Sequence, residues 1–140
     1  MDDVIDLDAM VEAAWCTFQR EFADALGELP PMRHLLVSAD DCQEGSLAVL
    51  SVIALRGVEE IRLVLVLNRW RARSLPLTEP EFSGVQTLGL RRSEGSAAHY
   101  WLVLPVEERM RAAGVTTALL RDVFSVIHPA FLKNGGFAVR

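Results

Sequence analysis

The fold turns on residues 47–67, where Leu47-Ala48-Val49-Leu50-Ser51-Val52-Ile53-Ala54-Leu55 is followed by Arg56-Gly57-Val58-Glu59-Glu60 and then Ile61-Arg62-Leu63-Val64-Leu65-Val66-Leu67. Ser51 alone interrupts the first apolar run, and Arg62 alone the second. Both runs are short and rich in Val, Ile and Leu, which suits strands better than helices. The polar, glycine-bearing stretch between them has the length of a hairpin loop. The segment therefore predicts an antiparallel pair of central strands, apolar on both faces and covered on two sides.

Helical patterns flank this pair. On the N-terminal side Val11, Trp15, Phe18, Phe22 and Ala25 recur at alternating steps of four and three, the apolar stripe of a helix over about residues 8–26. Asp6 or Asp8 can cap its start, and Gly27 ahead of Pro30-Pro31 supplies the stop. Leu35-Leu36-Val37 reads as a short strand and Asp40 to Gly45 as a loop. Past the hairpin, Pro76 and Pro80 exclude a long helix. Val85–Leu90 and His99–Leu104 then read as a second hairpin around the turn Arg91–Ser96. Pro105 opens a last helix, with Glu107 and Glu108 set against its positive end. Its stripe is Val106, Met110, Ala113, Thr117, Leu120, Phe124 and Ile127, Gly114 is a place where it can divide, and His128-Pro129 stops it. The apolar tail from Phe131 to Arg140 can dock back or pack across a dimer, with residues 137–140 as a loose end. The expectation is a single α+β domain over residues 1–140, a twisted antiparallel sheet of four to five strands packed by N- and C-terminal helices.

Composition narrows the function. The hydrophobic content of 51% rises to about 57% when glycine is counted and tyrosine is not, above the 45–50% typical of globular domains. No run approaches the roughly 18 residues of a membrane span, so the surplus points to a buried sheet, a self-association surface or a peptide groove rather than to membrane insertion. A net charge of −5 argues against broad nucleic-acid binding, which depends on neutralising phosphates. The acidic Met1-Asp2-Asp3-Val4-Ile5-Asp6 lacks the basic-then-apolar order of a secretory signal, and a cytoplasmic location is expected, with Cys16 and Cys42 reduced.

Reactive constellations are not evident. His34, His99 and His128 are scattered without metal-ligand spacing, so no metal or other cofactor is expected. Cys16 lies beside the first apolar stripe, where a packed thiol is the simpler reading. Asp40-Asp41, Glu59-Glu60 and Glu107-Glu108 fall in turns or at a helix start, where carboxylates need no catalytic role. The local anomaly is Asn68-Arg69-Trp70-Arg71-Ala72-Arg73, three guanidinium groups around an indole directly after a buried strand. Such a cluster can hold a carboxylate, a phosphate or an acidic peptide, although a solvated strand end with Trp70 buried has the same sequence.

The helix, sheet, helix order, the strand that runs into Asn68-Arg69-Trp70, and the closing Leu120-Arg121-Asp122-Val123-Phe124-Ser125-Val126-Ile127-His128-Pro129-Ala130-Phe131-Leu132 together resemble the YbjN and type III secretion chaperone-like family of peptide-binding domains, in its actinobacterial form. The resemblance implies a secretion-chaperone-like fold, commonly a homodimer, that binds segments of client proteins without chemistry. Arg69, Trp70, Arg71, Arg73, Phe124 and Phe131 are the partner-binding candidates. Two alternatives have the same surplus of apolar surface: a homodimeric accessory subunit without clients, and a small-ligand sensor built on Arg69, Trp70 and Arg71. An enzyme is not expected.

Overall fold

The computed structural model describes residues 6–40, 48–67, 77–93 and 99–140. Helix α1 spans Leu7–Glu28. Asp6 begins it, its Oδ1 accepting from the Ala9 N–H at 3.1 Å, as the N-cap pattern predicts. Its stop differs from expectation. The helix passes through Gly27, and the break falls at Leu29, which turns extended (φ −72°, ψ 125°) because Pro30 excludes the α region from the residue before it. Gly27 lies against the Arg109 side chain instead, and a Cβ there would stand 3.1 Å from its guanidinium. Strands β1 (His34–Asp40), β2 (Ala48–Arg56) and β3 (Glu60–Leu67) follow as an antiparallel meander, with the β2–β3 pairing running from Leu50↔Leu67 to Arg56↔Ile61.

The second half departs further from the sequence reading. Val85–Thr87 are not strand: they close helix α2 (Glu79–Thr87). Pro80 lies in the first turn of α2, where its missing N–H costs nothing, and Thr78 and Glu81 form a reciprocal capping box. Strand β5 (His99–Pro105) lies between β3 and the two-residue β4 (Arg91–Arg92), a segment expected from sequence to be turn. A 3₁₀ turn at Val106–Glu108 leads into α3 (Arg109–Ala118). Gly114 does not divide the last helix. The change comes at Leu119–Val123, a π turn closed by Phe124 N–H donating to the Leu119 carbonyl at 3.0 Å. The expected stripe also shifts: Met110 and Ile127 are exposed, while Ala112, Ala113, Val115, Thr116, Thr117, Leu119 and Leu120 are buried. Both threonine hydroxyls donate back to the carbonyls of Ala112 and Ala113, at 3.0 and 2.9 Å, which lets them sit in the core.

The tail docks back as β6 (Leu132–Val139), antiparallel to β1, so residues 137–140 are not loose: Phe137 faces Val37, and His34 and Arg140 exchange main-chain hydrogen bonds. Among the described residues the sheet has six strands in the order β4-β5-β3-β2-β1-β6. Trp15, Phe18, Phe22 and Leu26 of α1 join Leu119 and Leu120 over Leu35, Val37, Val52, Ala54, Ile61, Leu63 and Leu65 in one core. Phe137 seals its edge, its ring centroid 6.1 Å from Phe18 and 5.4 Å from Phe22, both edge-to-face.

Candidate functional site

Strand β3 alternates buried and less buried residues, and this pattern corrects the expectation of strands covered on two sides. Ile61, Leu63, Leu65 and Leu67 meet the helices, whereas Glu60, Arg62, Val64 and Val66 belong to the opposite face. The ladders place those opposite-face residues in register across the sheet. Ala138, Leu36, Ile53, Val64, Trp101 and Arg91 form a transverse row, each paired directly with the next. Directly paired residues share a face with Cβ atoms about 5 Å apart, so the row is continuous. On one side of it lies a second row of His34, Leu55, Arg62 and Val103, and on the other a third of Ser38, Ser51, Val66 and His99. Ser38 and Ser51 join their hydroxyls at 2.9 Å.

The chemistry of this face is amphipathic. Leu36, Ile53, Val64, Val66, Trp101 and Val103 are half-buried and Leu55 is exposed, whereas the buried residues of the helices described here all belong to the core on the other side. Arg62 lies over the indole of Trp101 with Cζ 5.7 Å from the ring centroid, a diagonal cation–π pair between the rows. At the β2–β3 turn the face continues into an open groove of about 750 Å³ lined by Val58, Glu59, Glu60, Val103, Leu104 and Pro105. A second open groove, about 420 Å³, lies between α1 and β6 beside Phe18, Glu21, Pro129 and Phe137. Among the described residues neither groove is lined by a cysteine, serine or histidine, and no group of three or more His, Cys, Asp or Glu is placed to hold a metal ion.

The residues singled out from sequence fare unequally. Arg69, Trp70, Arg71 and Arg73 lie outside the described residues. Phe124 is half-buried against the core, just beyond the π turn, and Phe131 is 61% exposed at the end of the 3₁₀ turn Pro129–Phe131. Cys16 is exposed on α1 rather than packed. The sequence reading missed the transverse row, although its signal was present: an apolar run that continues through both parities of a strand identifies two apolar faces, and only one can meet the helices of a two-layer fold.

Arg121 donates through Nε and Nη2 to Asp122 Oδ1 and Oδ2, at 2.8 and 3.0 Å. The hydrogen bond from Arg121 holds the Asp122 carboxyl below its ordinary value, with weak burial acting the other way, and raises the guanidinium in turn. The pair is exposed and lies outside the sheet face.

Helices on one side of an antiparallel sheet and an apolar ladder on the other give the described part of the chain a broad amphipathic sheet surface. The family model described as T3SS (YopN, CesT) and YbjN peptide-binding chaperone 3 matches residues 8–138, and the chain belongs to this family. It is a family of chaperone-type binding domains, not of enzymes. No curated protein and no solved structure matches the chain. Among the described residues no helix is long and apolar enough to cross a membrane.

Proposed function

We propose that the protein is a cytoplasmic peptide-binding chaperone that takes extended client segments on the sheet face opposite its helices. The observation that carries this reading is the transverse row from Ala138 to Trp101, an apolar band crossing five strands on the side away from the core. A client laid against it removes half-exposed Leu, Ile, Val and Trp surface from water, each square ångström contributing about 25 cal/mol. The chaperone acts as a homodimer, which accounts for further exposed apolar side chains away from the face, among them Leu7, Met10, Met110 and Ile127. Arg69, Trp70, Arg71 and Arg73 follow β3 directly in the chain and serve to steer clients.

The test is fluorescence anisotropy with labelled 15-residue peptides of alternating apolar and polar residues, using the intact protein and an Ile53→Glu variant, with light scattering for mass. Binding to the intact protein that weakens at least about tenfold in the variant, without loss of its melting transition, supports the reading. Equal binding by both proteins removes the sheet face as the site. A monomeric mass at micromolar concentration removes the dimer.

A further inference from the structure

Resting on the sheet-face reading above, we propose that the preferred client segment is acidic as well as apolar, its carboxylates engaged by Arg62 and Arg91 at the Trp101 end of the transverse row. The protein is acidic overall, with 19 carboxylate side chains against 14 basic ones. The described rows of the open face reverse that balance. Arg62 and Arg91 stand on it, His34 and His99 stand at its margins, and the acids of matching strand parity lie at strand ends outside the three rows: Glu60 at the start of β3, and Asp40 at the end of β1 beyond a register shift.

Among the described residues neither guanidinium takes part in an ion pair. Arg62 instead lies over Trp101 with Cζ 5.7 Å from the ring centroid, a contact made through the guanidinium face, and its N–H donors suit a bidentate carboxylate. Arg91 flanks the same indole from the neighbouring strand. Two strand spacings, about 10 Å, separate β3 from β4, so the two cations bracket Trp101. An apolar side chain of the client would sit on Trp101 and Val64 between two salt-bridged carboxylates. Single-stranded nucleic acid also uses arginine and aromatic surfaces, but it needs successive stacking platforms. Here the row beyond Trp101 is aliphatic, through Val64, Ile53 and Leu36.

The experiment compares a labelled 12-residue peptide in which Glu alternates with Val and Phe, its Gln-for-Glu counterpart, and a dT12 oligonucleotide, all titrated with the full chain at low and high salt. The expected result is about tenfold tighter binding of the Glu peptide at low salt, a preference that shrinks as salt screens the exposed charges. In an Arg62→Gln, Arg91→Gln double variant the preference falls to within about twofold while affinity for the Gln peptide holds. Both arginines are exposed, so the variant keeps the core, and the salt dependence of the intact protein gives a reading that needs no variant. Equal affinity for the two peptides, or a preference that survives the double variant, overturns the proposal. If Ile53→Glu still abolishes that equal binding, the sheet-face reading stands alone. Binding of neither peptide, or tighter binding of dT12, overturns both.

Discussion

At the scale of single residues, two positions show how local chemistry is spent. Met32 holds a left-handed backbone, φ 75°, in the turn where Arg33 N–H donates to the Pro30 carbonyl at 3.3 Å and Met32 N–H donates to the Arg56 carbonyl at 2.7 Å. A turn of this shape wants glycine at that position, and a side chain there costs about 1 kcal/mol. The thioether recovers none of it by burial, being 82% exposed. Met32→Gly should therefore leave stability unchanged or raise it by up to about 1 kcal/mol, where the same change in a strand would cost about that much. Thermal melting decides it, and a fall of several degrees would show that Met32 makes a contact of its own. Asp122 gives the pH counterpart. Its carboxyl is held low by Arg121, so folding binds fewer protons there than the unfolded chain does. The stabilisation is present above the ordinary carboxylate value and fades as pH falls through the lowered one. Asp122→Asn should flatten a small part of the acid limb of a stability-versus-pH curve and leave the neutral-to-basic limb parallel to the parent's.

At the scale of elements, legibility followed the strength of the local signal. The meander of β2 and β3 and the start of α1 were readable because apolar periodicity, hairpin loop and Asp cap all agreed. Helix α2 is harder to read because Pro76 and Pro80 argue against a long helix, yet a proline in the first turn belongs to the start of a short one, and Thr78 with Glu81 spells its capping box. Thr78→Ala should cost about 1 kcal/mol, measured by denaturant midpoint at constant slope. The π turn at Leu119–Val123 was not readable, since the extra residue is set by tertiary contact: Gly84 of α2 comes so close that a Cβ would lie 2.8 Å from Val123 Cγ2. Gly84→Ala must then push a β-branched side chain, and should destabilise by about 1–3 kcal/mol despite the better helix propensity of alanine. A stabilised Gly84→Ala protein would mean the two elements part easily.

At the scale of the whole molecule, the helix-on-sheet arrangement was legible from the order of patterns, but the place of β6 was not. A strand carrying Lys133-Asn134-Gly135-Gly136 has a weak period, and only its pairing with β1 makes it one, through a register shift between Val37 and Ala39. The candidate site divides the same way: the apolar residues of β2, β3 and β5 were visible, while their alignment into a row needed the strand order. Phe137 is the side chain that fastens β6 to α1, and Phe137→Ala should cost about 2 kcal/mol, less than a fully buried ring because its site is half open. Hydrogen exchange at Leu35–Val37 should quicken in that variant more than exchange at Leu63–Leu65, and uniform quickening would mean that β6 is no separate unit. The strand order also sets a timetable. Because β1 lies between β2 and β6, one of its edges closes early with a neighbour in sequence, while the other waits for a partner about a hundred residues further along, a loop whose closure entropy must be met before any contact rewards it. During synthesis on the ribosome this protein therefore carries an open strand edge of its own until residue 139 emerges, and for that interval it is itself a candidate for the kind of help its family gives to others.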